Sequence, residues 1–320
     1  MGLALLSFMR DTRKRPATTD PRPPTRGYAS VMSVVSSSAQ DSEFVKFWNN
    51  TLALKFERFR DILMNGLARH GAIAMDTITA RPGWHVLDVG CGWGDTAIAW
   101  AHKIGSSGRV VGFDCTESFL TKARADARAE SLEHVRFVRA DVEIFPFEPA
   151  YDLAFSRFGT MFFSNPVPAM RNIRRALKPG AMLQIVVWRT IRDNPWLGLA
   201  KELMLGFLPA PTDDAETCGP GPFSMADEDL VRKQLLSAGY ADIEFTRVDT
   251  PVVIGSSLDE AVAFQLALGP AGEVFREAGA LAEERRADIE GAMRAALSEY
   301  DTDAGVVMDS SSWTITARNP

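Results

Sequence analysis

Apolar residues follow two alternating patterns along the chain. Short apolar runs, typical of buried strands, alternate with stretches in which apolar residues recur every three to four positions, as on one face of a helix. This alternation predicts an α/β fold, a doubly wound and mostly parallel sheet with helices on both faces. Strands are predicted at seven places: 84–89, 109–114, 135–139, 151–156, 182–188, 243–249 and 311–317. Helices are predicted at 43–70, 95–103, 116–127, 165–177, 227–238 and within 258–300.

Two long segments interrupt this alternation. Residues 189–226 follow the fifth strand, and the largely helical residues 251–305 separate the last two strands. Because open α/β sheets bind ligands at the carboxyl ends of their strands, both segments are expected to be helical cap insertions beside a ligand site. The predicted organisation is an extension at 1–40, a helical segment at 41–83, a core at 84–188, a cap insertion at 189–226, a core helix and strand at 227–250, a second cap insertion at 251–305 and a final core strand at 306–320.

The composition narrows the class of protein. A net charge of -6 argues against a nucleic-acid partner, and no apolar run is long enough to span a bilayer. The three cysteines (Cys91, Cys115, Cys218) and four histidines lack the spacing of a disulfide framework or a metal site, so we expect a reducing, cytoplasmic compartment and no metal. Residues 1–40 are basic and rich in Pro, Ser and Thr; they are predicted to be disordered, with a weak resemblance to an organelle-targeting segment.

A glycine-rich loop, VLDVGCGWGDT at 86–96, follows the first predicted strand. Its three glycines stand at alternate positions: Gly90, Gly92 and Gly94. The third glycine comes one residue too early for the G-x-G-x-x-G fingerprint of dinucleotide-binding proteins. Asp95 lies where the next helix begins, and a carboxylate at that place would repel a pyrophosphate. Asp95 and Asp88, which lies near the strand end, together favour a cationic ligand. The alternative is a tight turn that binds no ligand.

Five motifs in order resemble those of a known family. They are VLDVGCGWG (86–94), VVGFD (110–114), VRFVRADVEIFPF (135–147), YDLAFSRFG (151–159) and LKPGAMLQIVVW (177–188). Together they resemble the class I S-adenosylmethionine (SAM)-dependent methyltransferases, and within them the ubiquinone/menaquinone-biosynthesis-like branch of small-molecule enzymes. The resemblance covers about residues 44–250 and the last strand. It implies a Rossmann-like methyltransferase fold, SAM as the cofactor and S-adenosylhomocysteine as the product.

The resemblance also implies which residues bind the cofactor. Asp88 and the glycine loop would surround the amino-acid part of SAM. Asp114 would accept hydrogen bonds from both ribose hydroxyls, and Asp141 from the adenine amino group, while Val142 offers its backbone N–H. The complete predicted set is Asp88, Gly90, Cys91, Gly92, Gly94, Asp114, Cys115, Thr116, Asp141, Val142, Ser156 and Phe158.

The methyl acceptor is expected to bind next to this set. In the resembled family an N-terminal segment covers the cofactor, so residues 41–83 are predicted to form a lid in which Trp48 positions the acceptor. Arg157 is expected to orient an anionic or carbonyl-bearing acceptor, with a structural ion pair as the alternative. Neither insertion contains a histidine, and a surface position is expected for His70. An apolar cap without an evident base suits a thiol, amine, phenol or activated carbon.

Several kinds of acceptor remain compatible with the sequence. Methyltransferases that act on nucleic-acid amino groups carry an Asn/Asp-Pro-Pro-aromatic tetrad after the fourth strand, where this chain reads SRFG. A small-molecule methyltransferase, monomeric or homodimeric, is therefore favoured. A protein methyltransferase and a SAM-binding regulatory protein without catalytic activity remain as alternatives.

Overall fold

The central sheet contains the predicted alternation of strands and helices. The computed structural model describes residues 43–211 and 221–320, so the predicted extension at 1–40 and Cys218 lie outside the described residues. The strands are β1 His85–Val89, β2 Arg109–Asp114, β3 Val135–Arg139, β4 Tyr151–Arg157, β5 Leu177–Trp188, β6 Ala241–Gly255, β7 Asp301–Thr302 and β8 Gly305–Arg318. The α-helices are α1 Glu43–Phe47, α2 Ala53–Arg58, α3 Arg60–Asp76, α4 Asp95–Ile104, α5 Glu117–Ala129, α6 Pro166–Ala176, α7 Pro195–Phe207, α8 Glu228–Ala238, α9 Leu258–Ala267, α10 Gly269–Ala278, α11 Ala280–Glu284 and α12 Arg286–Leu297.

The sheet runs in the order β3-β2-β1-β4-β5-β8-β6. Strands β1 to β5 are parallel, whereas β8 lies antiparallel between β5 and β6. The predicted doubly wound, mostly parallel sheet is therefore confirmed. The order reverses between β1 and β4, and open α/β sheets bind ligands at such a switch point.

The last two long strands extend further than the sequence predicts. Strands β6 and β8 pair from Ala241 opposite Arg318 to Gly255 opposite Val306, with two register shifts. The predicted strand ended at residue 249, two residues before Pro251, and proline cannot donate to a strand ladder. Since β6 is an edge strand, Pro251 is accommodated there. The two-residue β7, which pairs with β8, was not predicted because so short a strand has no periodic pattern.

The predicted helix at 43–70 is divided in the structure. A π-helical turn, Trp48–Leu52, separates α1 from α2, and Phe59 leaves helical geometry before α3 begins. Turns of this kind occur frequently at functional sites. The continuous apolar period of the segment gave no signal of either interruption.

The expected surface position of His70 is wrong. Helix α3 packs on β6, and the imidazole is fully buried. Its Nδ1 and Nε2 each lie 2.8 Å from a serine hydroxyl on β8, those of Ser312 and Ser310. Because Ser310 donates its hydroxyl proton to the carbonyl of Thr250, Nε2 carries the imidazole proton and Nδ1 accepts from Ser312. Burial lowers the pKa of His70 to about 4, which keeps the ring neutral.

Fully buried side chains fill the spaces between the sheet and its helices. The largest include Trp100, Phe113 and Phe155, contributed by α4, β2 and β4. Trp100 and Phe155 meet at a centroid distance of 5.5 Å in an edge-to-face arrangement. Within the described residues, no helix combines the length and apolar character needed to cross a membrane.

Candidate active site

A cavity of about 280 Å³ lies at the carboxyl ends of the parallel strands. One side is formed by the loops that follow β1, β2, β3 and β4. The opposite side is formed by the N-terminal helical segment and by both predicted insertions, with Trp48, Phe56, Trp196, Leu197, Phe264, Leu268 and Pro270 on its wall. Residues of both segments predicted as cap insertions therefore line the cavity at the strand ends, while the bounds of these segments stay a prediction. The cavity is polar on the loop side and largely apolar on the cap side.

The glycine loop contributes an open backbone surface to this cavity. Gly92 has a φ of +52°, and a Cβ placed there would meet nothing within 4 Å. Gly94 has a φ of +85°, but a Cβ there would lie 2.7 Å from Ala123 Cβ and from the Phe137 ring. Gly92 thus leaves room for a ligand. Gly94 instead lets α4 begin in close contact with α5 and β3, and its backbone does not reach the cavity wall.

Asp114 at the end of β2 holds the loops in place. Its Oδ2 accepts a hydrogen bond of 2.9 Å from the backbone N–H of Gly92, and its Oδ1 accepts one of 2.8 Å from that of Thr116. The carboxylate lines the cavity, and burial raises its pKa. Each oxygen retains lone pairs for a ligand hydroxyl. Thr116 occupies the N-cap position of α5 but its side chain accepts no hydrogen bond from that helix.

The loop after β3 brings a second carboxylate to the cavity wall. Asp141 Oδ1 accepts a hydrogen bond of 2.9 Å from the backbone N–H of Glu143. The neighbouring Val142 also lines the cavity, and its carbonyl accepts from the Asn172 side-chain amide at 2.9 Å. Asn172 on α6 therefore fixes this loop from behind. The positions implied for the adenine end thus lie on the same wall as Asp114.

Three residues of the predicted cofactor set lie behind the cavity wall. Asp88 is fully buried and accepts a hydrogen bond of 2.6 Å from the Thr96 hydroxyl; burial raises its pKa to about 7. Ser156 is also buried and donates to the carbonyl of Val89 at 2.7 Å. With Gly94, they support the loop and are not among the residues that line the cavity, and their contact with the cofactor stays a prediction. Sequence position alone could not distinguish a residue on the wall from one behind it.

Arg157 forms the ion pair that was the alternative interpretation of this residue. Its Nη1 and Nη2 lie 2.5 and 3.0 Å from the two carboxylate oxygens of Asp95. Both residues line the cavity, so a positive and a negative charge are presented together. A bidentate pair of this kind fixes both planar groups. Arg157 is therefore already neutralised, and an acceptor anion would have to compete with Asp95.

Aromatic rings make up much of the remaining wall. Trp48 is almost fully buried, with its ring centroid 5.2 Å from those of Phe56 and Phe162. Phe158 stacks on Trp188 with centroids 3.9 Å apart. The N-terminal segment predicted as a lid thus forms part of the cavity wall. The π-helical turn that begins at Trp48 is the element that brings this side chain there.

The two predicted cysteines lie on the wall as neutral thiols. Burial raises the pKa of the Cys115 thiol to about 12 and that of Cys91 well above its ordinary value, with nearby carboxylates adding to both shifts. Neither thiol is therefore a nucleophile at neutral pH, since the thiolate is the reactive form. Their contribution is that of small, apolar surface beside the glycine loop.

Three charged side chains on the cap side were not anticipated from the sequence. Lys55 of α2 and Glu273 and Arg276 of α10 line the cavity. The pattern around 273 is an ordinary amphipathic helix in which charged residues usually face water. No local signal distinguishes a charge that faces a cavity from one that faces solvent.

The comparisons with known proteins agree with this arrangement. A family model described as "Methyltransferase domain" matches residues 86–180. The ubiquinone/menaquinone biosynthesis C-methyltransferase UbiE of Shewanella frigidimarina is 25% identical over 214 residues, which cover 64% of this chain and 85% of the relative. The enzyme of the same name from Shewanella sediminis is 26% identical over 237 residues, covering 71% and 92%.

Solved structures share the fold at lower identity. A putative methyltransferase of Bacillus halodurans superposes with a TM-score of 0.52 at 20% identity, covering 78% of this chain and 98% of the other. Phosphoethanolamine N-methyltransferase 2 of Haemonchus contortus, solved in complex with SAM, gives a TM-score of 0.54 at 17% identity, covering 88% and 60%. Four observations agree: the five sequence motifs, the sheet order, the cavity at the switch point and the matching relatives. This chain therefore belongs to the class I SAM-dependent methyltransferases, in a group similar to the ubiquinone/menaquinone-biosynthesis enzymes.

Proposed function

We propose that this methyltransferase transfers the methyl group of SAM to a small, largely apolar acceptor that binds beneath the helical cap. The observation that carries the proposal is the division of the cavity into a loop side with three carboxylates and a cap side that is mostly aromatic and aliphatic, with the charged Lys55, Glu273 and Arg276 among its residues. The acceptor atom can be that of a thiol, an amine, a phenol or an activated carbon.

The residues on the loop side fit SAM. A Cβ at Gly92 would project into open space, so the backbone can approach a ligand closely there. Asp95, Asp114 and Asp141 surround this space and suit a ligand that carries an ammonium group, a sulfonium and hydroxyl donors. When bound, SAM supplies a methyl group that is already activated by its positively charged sulfur. Asp114 would hold the ribose and Asp141 the adenine end.

The protein's own task is to position the acceptor and to exclude water. Trp48 and Phe162 would hold a flat apolar acceptor on one side, and Trp196 and Phe264 from the insertions on the other. Positioning of two reactants in line can supply roughly 7–11 kcal/mol of the barrier to reaction. An apolar wall without bulk water also prevents hydrolysis of the activated methyl group.

A labelled-methyl experiment tests this function. Purified protein is incubated with methyl-tritiated SAM and with four acceptors, namely 1,4-dihydroxynaphthalene, 4-nitrophenol, aniline and 4-nitrothiophenol, and label in the organic phase is counted. SAM binding is measured in parallel by calorimetry. Label in an acceptor supports the proposal. SAM binding without transfer to any acceptor or to an organic cell extract would contradict it, and label in added protein would indicate a protein methyltransferase.

We also propose a cytoplasmic protein that is monomeric or homodimeric and has no nucleic-acid partner. The net charge of -6 supports the last point. Light scattering coupled to size-exclusion chromatography would measure the oligomeric state.

A further inference from the structure

The turn that ends β4 contacts both ends of the glycine loop. At one end, a Cβ on Gly90 would lie 3.1 Å from the Cα of Gly159, so the two backbones are in direct contact. At the other end, Arg157 forms two hydrogen bonds with Asp95, the first residue of α4. Residues 157–159 therefore fix the shape of the loop that borders the cavity.

This turn is itself held by helix α3 of the N-terminal segment. Phe158 has a left-handed φ of +58°, and its ring packs edge-to-face with the imidazole of His70 at a centroid distance of 5.7 Å. The next residue of α3, Gly71, lies against the side chain of Arg157. His70 and Gly71 both lie outside the set of described residues that line the cavity. Helix α3 thus reaches the glycine loop through residues 157 and 158.

Position 71 has no room for a side chain. A Cβ at Gly71 would lie 2.9 Å from the Cδ of Arg157 and 3.6 Å from its Nη1. Because Cδ is in the middle of the side chain, the guanidinium must move when this atom is displaced. Gly66, a second buried glycine of α3, differs in this respect. A Cβ there would meet its nearest atoms at 3.5 and 3.9 Å, which are ordinary contact distances.

The Arg157–Asp95 pair favours one class of ligand. Both side chains line the cavity and keep an exposed fraction of 11% and 25%. A simple anion would have to displace Asp95 from the pair, and a simple cation would have to displace Arg157. An amino acid carries a carboxylate and an ammonium on the same carbon, so neither residue is left with an unpaired charge. The pair uses two of the five N–H donors of the guanidinium, and the Asp95 oxygens keep free lone pairs.

We propose that Gly71 is a positioning residue for the cofactor: it leaves room for Arg157 to lie beside Asp95, and this pair binds the zwitterionic amino-acid end of SAM. The inference rests on the proposed function, which makes SAM the ligand of this cavity. It assigns the charge pair to the cofactor, whereas the sequence suggested that Arg157 orients the acceptor. It also makes helix α3, within the predicted lid, a determinant of cofactor affinity.

Two stable ligands separate the amino-acid end of the cofactor from the rest. S-adenosylhomocysteine and 5′-methylthioadenosine share the adenosine group and a neutral sulfur, but only S-adenosylhomocysteine carries the amino acid. Calorimetry measures the affinity of each ligand. Since hydrogen bonds to charged groups are strong, wild type should bind S-adenosylhomocysteine at least about tenfold more tightly than 5′-methylthioadenosine.

Gly71→Ala tests the positioning without removing a charge. The new Cβ displaces Arg157, so the affinity for S-adenosylhomocysteine should fall at least about tenfold, the scale of lost charged hydrogen bonds. The affinity for 5′-methylthioadenosine should stay within about threefold. Gly66→Ala on the same helix is the matched control, and both of its affinities should stay within about threefold of wild type. A merely structural effect of Gly71→Ala would instead weaken the binding of both ligands equally.

Arg157→Gln tests whether Gly71 acts through Arg157. This variant removes the positive charge, so it should lose most of the preference for S-adenosylhomocysteine. Adding Gly71→Ala to it should lower the affinity by no more than about twofold, because two changes that act on one interaction are not additive. A further tenfold loss in the double variant would contradict an action through Arg157.

The outcomes separate the two proposals. If wild type binds neither SAM nor S-adenosylhomocysteine, the proposed function fails and this inference with it. If wild type binds both but shows no preference over 5′-methylthioadenosine, only the role of the charge pair is overturned. The same holds if Arg157→Gln keeps the preference. If Gly71→Ala keeps the affinity of wild type for S-adenosylhomocysteine, or loses both ligands equally, the positioning role of Gly71 is overturned.

Discussion

Replacing two glycines of the same loop by alanine should have opposite consequences. In Gly94→Ala the new Cβ would lie 2.7 Å from Ala123 Cβ and from the Phe137 ring, so packed groups must move. A left-handed backbone costs an L-residue about 1–2 kcal/mol, and overpacking adds about 1–3 kcal/mol. The free energy of unfolding should fall by about 2–5 kcal/mol. In Gly92→Ala nothing lies within 4 Å of the Cβ, so only the backbone cost of about 1–2 kcal/mol applies.

Thermal unfolding and calorimetry measure both effects. At roughly 2 °C per kcal/mol for a long chain, the melting temperature should fall by about 4–10 °C in Gly94→Ala and by about 2–4 °C in Gly92→Ala. SAM affinity, measured at 10 °C, should show the reverse order. It should fall at least tenfold in Gly92→Ala, because the alanine side chain occupies space that the ligand needs. It should stay within about threefold of wild type in Gly94→Ala. Equal melting temperatures, or unchanged SAM affinity in Gly92→Ala, would refute this assignment of the two positions.

Three further changes test other parts of the site. Asp114→Ala should weaken SAM binding at least tenfold by calorimetry, since lost hydrogen bonds to a charged group cost about 1.5–3 kcal/mol; unchanged affinity would exclude Asp114 as a cofactor ligand. Trp48→Leu should lower turnover at least tenfold and leave SAM affinity within about threefold, whereas equal losses would argue against a role in acceptor positioning. The folded-state pKa of His70 is about 4 against 6.5 when unfolded, so acidification from pH 6.5 to 4 should remove about 3 kcal/mol of stability. Denaturant titrations should show a smaller acid loss in His70→Gln, and an identical loss would refute the burial argument.

Local pattern determined the layered architecture of this protein. Each parallel strand is a short apolar run and each helix a three-to-four repeat, and these periods follow from backbone geometry alone. The glycine loop and the acids at the ends of β2 and β3 were equally visible. Parallel strands end at the same edge of a sheet, so Gly92, Asp114 and Asp141 necessarily lie close together. The sequence therefore predicted most of the loop side of the cavity.

Only the tertiary structure decided which side chains face the cavity and which lie behind its wall. Asp88 is the penultimate residue of β1 and Asp114 the last residue of β2, but Asp88 is buried against Thr96 whereas Asp114 lines the cavity. His70 is buried because β8, more than two hundred residues later, supplies two hydroxyls to its ring. Glu273 lines the cavity because α10 packs on α7 across the two insertions. Such contacts join segments that are distant in sequence. The periodicity of apolar residues shows only on which face of its own helix or strand a residue lies. What packs against that face is decided by the rest of the chain.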